Sequence, residues 1–468
     1  MGAPPGDPPR ETRNRAINHG MDAGEDTVLG MHYAEASPQT FATSTATPRF
    51  YAWLVFALTF GLLLSDYMSR QVLNAVFPLL KAEWGLSDTQ LGSLSGIVAL
   101  LVGLLTFPLS VLADRWGRVR SIILMATLWS LATLACSLAT SFGQMFAARF
   151  FVGLGEAAYG SVGVALIISV FPAHLRSTLT GAFMAGGAFG SVAGMALGGI
   201  LATHLGWRWA FAAMAAFGGA LVLLYAVTVS ERRLRERGGE GLRPGASEPG
   251  FRLSLRSLFS GLFSSASVIC AYIGSGLQLF IMAAVMAWLP SFLNRYYGMT
   301  PDKAGVSAAA FVLIAALGMV MCGAITDRLC RRLPSRKMAM AIAFCLITAI
   351  MLGIAFQLPP GPGQLSMIGL GMFLAAGTAG PAGAMVANLT PTPIHASAFA
   401  TLTLANNLLG LAPGPVLTGL LADHIGLLGA FKWIPLMAVF AATAFWMGRR
   451  HYANDLARIQ ASASTPAH

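Results

Sequence analysis

Charge is what this chain is short of. Only 10% of its 468 residues are Asp, Glu, Lys or Arg, while 56% are hydrophobic; a water-soluble domain carries roughly a quarter charged residues. An ordinary solvated surface is therefore excluded. Cysteine is also sparse: Cys136, Cys270, Cys322, Cys330 and Cys345 show neither CxxC spacing nor neighbouring histidine clusters. That pattern argues against a metal site and for packing residues. None of the eight histidines stands in the middle of an apolar run, so neither a metal-binding nor a proton-relay histidine is expected. No Ser-His-Asp set, no paired-carboxylate site and no P-loop emerges from the order of residues, which argues against an enzyme and against direct use of ATP. Residues 1–50, rich in Pro, Gly, Ala and Thr, lack the compact apolar stretch of a secretory signal.

Long apolar runs fill the chain instead. A helix needs about 20 mostly apolar residues to cross a bilayer, and the sequence predicts twelve such segments. They cover 51–78, 90–113, 120–140, 144–171, 178–203 and 207–228, then 265–290, 303–326, 336–357, 364–389, 394–422 and 427–448. Between the two groups, residues 229–264 open Glu231-Arg232-Arg233-Leu234-Arg235-Glu236-Arg237 and turn Gly- and Pro-rich, a composition suited neither to lipid nor to a core. The expected organisation is a disordered tail over 1–50, a six-helix bundle over 51–228, a linker over 229–264, a second bundle over 265–448 and a tail over 449–468. The net charge of +11 comes from short inter-helix loops rather than one basic folded surface, which leaves nucleic acid unsupported as a partner. With both termini cytoplasmic, about 23 Lys and Arg fall inside and about five outside; the opposite orientation breaks the positive-inside rule. Trp53, Trp84, Trp207, Trp288, Trp433 and Trp446 fall near predicted helix ends, as interfacial aromatic belts do.

The two halves echo each other. Gly85-Leu86-Ser87, Gly92 and Asp114-Arg115 recur as Gly298-Met299-Thr300, Gly305 and Asp327-Arg328, all displaced by roughly 213 residues. A second register of roughly 220 relates Gly190, Gly194 and Gly199 to Gly410, Gly414 and Gly419. Ser87 and Thr300 suit helix N-caps, with Gln90 completing a capping box and Pro301 filling the first helical position. Repeated halves of this kind are built into carriers whose site lies at the bilayer midplane.

Ser110-Val111-Leu112-Ala113-Asp114-Arg115-Trp116-Gly117-Arg118 resembles the loop signature of the major facilitator superfamily, G-x-L-A-D-R-x-G-R, with Ser110 in place of its first glycine. Arg149 through Ala158 resembles that family's helix 4 signature, and Gly153-Leu154-Gly155-Glu156-Ala157-Ala158 is similar to the spinster-like branch. Leu86 through Gly92, and Asn406-Asn407 followed by Pro415, Gly419 and Asp423, fit that branch too. Helix 1 departs from it, because Ser69-Arg70 stands where Asp-Arg is usual and the acid lies one turn back at Asp66. The resemblance spans about 51–448. It implies an all-α integral membrane fold, with twelve transmembrane helices arranged as two pseudo-symmetric six-helix bundles. It also implies a monomeric secondary transporter of the bacterial inner (plasma) membrane, moving a small molecule by alternating access, with no cofactor and with the proton as coupling ion.

Four ionisable residues fall deep within predicted helices: Asp66, Arg70, Arg149 and Glu156. A charge in the bilayer costs several kcal/mol, roughly, so each needs a partner or a wet cavity. Asp66 and Arg70 share a helical face at a spacing of four, as do Arg149 and Glu156 at seven. Two readings stand: a carboxylate that binds a proton beside an arginine that holds an anion, or a fixed ion pair tying helix 1 to helix 4. Tyr272, Ser275 and Gln278 on helix 7, with Asn406 and Asn407 on helix 11, are candidate substrate contacts or interhelical bonds. Gly414-Pro415 is expected to interrupt helix 11 and free backbone groups. The glycines of helix 5 resemble an antiporter signature, with Met195 in place of its proline, and suit close packing equally. Asp114, Arg115 and Arg118, with Asp327 and Arg328, are topogenic charges that the resemblance makes gating residues, together with Gly117 of the same signature. The substrate is read as an organic anion or an amphipathic molecule, with drug or lysolipid efflux as an alternative. A non-transporting receptor or a lipid scramblase is the rival of another class.

Overall fold

Among the residues described by the computed structural model, twelve helices are long and apolar enough to cross a membrane. Those residues are Gly2, 49–237, Phe263, 265–331, 336–390 and 395–464; the expected tail up to residue 48 and the Gly- and Pro-rich part of the linker lie outside them. The first six spans are α1 (Phe50–Trp84), α2 (Asp88–Trp116), α3 (Arg118–Leu138), α4 (Phe142–Val170), α5 (His174–Leu205) and α6 (Trp207–Thr228). The second six are α7 (Ala266–Tyr297), α8 (Pro301–Leu329), α9 (Arg336–Ala355), α10 (Pro362–Asn388), α11 (Ser397–Ile425) and α12 (Leu427–Arg458). A short linker helix, Glu231–Arg237, follows α6.

The punctuation read from the sequence is present in the backbone. Gln90 N–H donates to Ser87 Oγ at 3.1 Å and Ser87 N–H donates to the Gln90 side chain at 3.0 Å, closing the capping box of α2. Pro301 lies in the first turn of α8, after Thr300. Both repeat registers recur as left-handed backbone at the helix ends: Gly85 and Gly298 have φ of 63° and 62°, and Gly206 and Gly426 have φ of 94° and 76°. A side chain at any of these is strained, so glycine is required.

Three features differ from the sequence reading. The expected ends of helices 1 and 7 fall at Pro78 and Pro290, yet both helices pass through the proline and run on to Trp84 and Tyr297. A proline removes one backbone donor, and surrounding helices make that tolerable in a membrane. Trp288 consequently sits well inside α7, fully buried, its Nε1 donating to Pro415 O at 2.9 Å; it is no belt residue. The interruption of α11 falls earlier than Gly414-Pro415, as a π-turn over Asn407–Leu411 that ends before Pro413. Pro413 and Pro415 both lack donors, and the wider turn, in which Ala412 N–H reaches Asn407 O at 2.9 Å, absorbs the loss. Finally, helix continues past residue 448 to Ser464. Asp455 there accepts from Ser265 Oγ, Ser267 N–H and Ser267 Oγ at 2.8, 3.0 and 2.7 Å, fixing it to the start of α7.

Each half packs within itself through α1 against α5, α3 against α4 and α6, α7 against α12, and α8 and α9 against α10. The halves meet where α2 crosses α11, α5 crosses α8 and α1 meets α7. The repeated glycines supply these crossings. Gly92 lies against the Pro415 carbonyl, Gly305 against Met195 and Gly199, and Gly419 against the Asp88 carbonyl, with no room for a Cβ. Since lipid is as apolar as the helices, such close backbone contact is what drives association. Gly190, Gly194 and Gly198 meet Leu64, Met68 and Val72 of α1, so these three serve packing within the first half, while Gly199 meets Pro301 and Gly305 of the second.

Candidate functional site

One face of α1 carries the site. Asp66, Arg70, Asn74, Phe77 and Lys81 repeat at three- and four-residue spacing and so project along one side of the helix. At the depth of Arg70, α4 ends its first segment at Glu156 and resumes at Tyr159. Thr106 of α2 donates to the Ala157 carbonyl at the break at 2.6 Å, and Tyr159 Oη donates to the Thr59 carbonyl of α1 at 2.6 Å, tying the second segment to α1. Gly155, just before the break, lets α4 pack closely on α3, since a Cβ there would meet the backbone of Trp129.

Three of the four buried ionisable residues converge on one atom. Arg70 Nε lies 2.6 Å from Glu156 Oε2 and 3.4 Å from Asp66 Oδ1. Ser69 Oγ approaches Glu156 Oε1 at 3.3 Å while donating to the Asp66 carbonyl at 2.8 Å. Asp66 and Glu156 are each 2% exposed, whereas the Arg70 side chain retains 21% exposure, its guanidinium 5.2 Å from the Tyr67 ring centre. Arg70 is thus the least buried member of the cluster, although its Nε is itself buried. Arg149, 1% exposed, takes another part: it donates to Ser69 O at 3.1 Å and Leu94 O at 3.4 Å, tying α4 to α1 and α2 through carbonyls.

Toward the α1–α2 turn, Phe77 packs on Trp288 of α7 with ring centres 5.2 Å apart. Beyond it Asp88, buried at the start of α2, accepts from Lys81 Nζ at 2.5 Å and from both Arg295 guanidinium nitrogens at 2.7 and 2.6 Å. Asp423 of α11 accepts from Asp88 N–H, Thr89 N–H and Thr89 Oγ at 2.7, 2.9 and 2.6 Å, capping α2 from the opposite half. The hydrogen bonds between halves that the described residues show all lie at this end. At the far end Asp114 pairs with Arg118 of its own half at 3.5 Å and Asp327 with Lys337 of its own half at 3.0 Å, with 65% and 74% of the two carboxylate side chains exposed. Arg115 and Arg328 there are exposed, and Gly117, with φ of 101°, sits against the Glu231 carboxylate of the linker helix.

The other sequence candidates lie elsewhere. Gln278 donates to Thr348 of α9 at 3.4 Å and Tyr272 to the Ala398 carbonyl at 3.4 Å, both buried inside the second half; Ser275 is buried beside them on α7. Asn407 donates to the Thr403 carbonyl at 2.9 Å and packs on Gly103 of α2, while Asn406 is half-buried. Gly414 lies against the Phe280 carbonyl of α7. Sequence reasoning assigns no site role to Ser69, Gln71, Asn74 and Ser95 near the cluster, or to Lys81, Asp88, Arg295 and Asp423 at the seal, although Ser69, Asp88 and Asp423 fall in its motifs. Lys81 and Arg295 carried a signal, as cations on the side that the charge bias leaves poor. Among the described residues no group of three or more His, Cys, Asp or Glu is placed to hold a metal ion.

Known proteins share this architecture. A bacterial homolog of the human lysosomal transporter Spinster, solved inward-facing and unoccupied, superposes with a TM-score of 0.76 at 20% identity, covering 87% of this chain and 99% of that one. A probable 4-methylmuconolactone transporter of Cupriavidus pinatubonensis is 26% identical over 381 residues, 80% of this chain and 84% of its own length. A gallate transporter of Pseudomonas putida is 28% identical over 326 residues, 65% and 71% of the two chains. The family model of the Major Facilitator Superfamily matches residues 59–408, from within α1 into α11, and the chain belongs to that superfamily.

Proposed function

We propose that this protein is a proton-coupled carrier of small organic carboxylates, a secondary transporter that rocks its two halves about a midplane site. The observation that carries the reading is the single Arg70 nitrogen claimed by two buried carboxylates, Glu156 and Asp66. With both acids ionised, Arg70 and Arg149 balance them and the cluster is neutral. A proton on Glu156 removes the charge that occupies Arg70 and leaves one positive charge in excess. An organic anion on Arg70 then restores neutrality. The empty unprotonated cluster and the protonated, anion-loaded cluster are the two neutral states, and low dielectric favours both over the charged alternatives. Proton and anion binding therefore favour each other, reciprocally, and the two move in the same direction.

Relatives named for gallate and 4-methylmuconolactone support a carboxylate-bearing substrate. The charge bias of the loops supports an orientation in which both termini, the linker and the Asp114 end face the cytoplasm. Asp88, Arg295 and Asp423 then hold the outer side closed, and Asp114, Arg115, Arg118, Asp327 and Arg328 are free to close the inner side in the other state.

The test is accumulation in proteoliposomes under an imposed pH gradient. Glu156→Gln is fixed in a neutral form, so it should exchange bound anion for anion across the membrane while failing to accumulate it. Gradient-driven accumulation undiminished in Glu156→Gln refutes the coupling role.

A further inference from the structure

We infer that Gln71 is a specificity residue, a hydrogen-bond donor to a neutral oxygen of the same substrate whose carboxylate lies on Arg70. The proposal rests on the carboxylate reading above and adds a second requirement, a hydroxyl or carbonyl group on the carbon skeleton.

A short chain of hydrogen bonds leads to Gln71. Ser95 Oγ of α2 donates to Asn74 Oδ1 at 2.8 Å, and Asn74 Nδ2 donates to Gln71 Oε1 at 2.7 Å. Each bond runs in the same sense, so the amide oxygen of Gln71 is occupied and its two N–H groups are the open end. Asn74 is buried, and Gln71 is half-exposed with no protein partner for its nitrogen among the described residues. Chained bonds polarise one another, and the buried middle member holds the terminal amide in one orientation.

The open end belongs to a strip of α1 that its neighbours in the first half leave uncovered. On α1 the charge face meets α4 at Glu156 and α2 at Ser95, while Leu64, Met68 and Val72 meet α5 and the opposite side packs against α6. The strip left between α4 and α5 carries Phe60, Tyr67, Arg70 and Gln71, all half-exposed. Phe77 and Trp288 close this strip about two turns further on. Arg70 and Gln71 are therefore adjacent donors beneath an aromatic seal, one charged and one neutral. A ligand with a carboxylate alone leaves the Gln71 N–H groups without a partner once water is excluded, and that deficit is the source of discrimination.

The experiment measures binding of matched acids to the purified full-length protein by ligand-dependent thermal shift. Benzoate is compared with gallate, and hexanoate with galactonate, pairs that differ in hydroxylation. Wild type is expected to prefer the hydroxylated member of the pair it accepts. Gln71→Leu is expected to reduce that preference about fivefold to tenfold, with the plain acid bound no more weakly than by wild type because the unpaired N–H groups are gone, and Ser95→Ala, which frees the chain, to reduce it less. Should Gln71→Leu fail to reach the membrane, Gln71→Met, of similar length and without an N–H donor, carries the test. An unchanged preference in a folded Gln71 variant overturns the inference and leaves the carboxylate reading intact. Absence of binding to all four acids by wild type overturns both.

Discussion

Replacing Asp88 with asparagine should open the end of the molecule that the structure holds shut. The Asp88 carboxylate is buried, and of its partners Lys81 belongs to the same half while Arg295, held at 2.6 and 2.7 Å, belongs to the other. Of the carboxylate's own bonds only those to Arg295 must break when the halves part, so only they change the equilibrium when this side chain is replaced. Truncating one member of a buried, hydrogen-bonded charge pair costs about 2–5 kcal/mol. Asparagine keeps the shape and one acceptor oxygen, which places Asp88→Asn near the lower bound, about 2 kcal/mol. At about 1.4 kcal/mol per decade, the ratio of closed to open molecules falls roughly 30-fold, and a population of about 99:1 becomes about 3:1. The assay is a spin-label distance distribution between His204→Cys on α5 and Lys303→Cys on α8, both exposed residues on opposite halves at that end, in a background free of the five native cysteines. A new long-distance component of about a quarter of the signal is expected from those ratios. A distribution identical to that of the unmutated lock, in a variant of unchanged thermal stability, refutes the role given to Asp88.

Two further outcomes follow from named contacts. Arg70→Lys retains the charge but loses the planar donor set, so carboxylate binding should weaken by about tenfold or more by thermal shift; equal binding counts against a guanidinium-held anion. Asp455→Ala removes three accepted hydrogen bonds that fasten the end of α12 to the start of α7. It should cost about 1–2 kcal/mol, seen as a lower melting temperature with no change in ligand preference.

The twelve spans were legible because hydrophobic length is a local property, and the repeat was legible because Gly85 and Gly298, like Gly92 and Gly305, have the same backbone task in each half. The reading stopped both α1 and α7 at a proline, since proline penalties learned from water do not carry over where neighbouring helices re-satisfy the backbone. The four buried charges were legible as a group because charge in an apolar run is costly. Their pairing was not. Arg149 and Glu156 share a face of α4, yet Glu156 reaches Arg70 on α1 and Arg149 goes to the carbonyls of Ser69 and Leu94. Periodicity gives the face a residue occupies, whereas partners depend on which helix lies opposite. For the same reason Gln278 looked like a cavity residue and is engaged by Thr348 on α9. The seal was missed because Lys81, Asp88, Arg295 and Asp423 stand at helix ends, where charge is ordinary and only the fold brings four of them together.

In the proposed cycle, one proton enters with each organic anion through Glu156 and Arg70. The most direct measurement is the proton flux itself, recorded with a pH dye trapped inside proteoliposomes while a bound carboxylate identified by thermal shift is added outside. Acidification of the lumen that tracks uptake one for one, and is absent in Glu156→Gln, is the expected result. Uptake at full rate with no change in internal pH would contradict it.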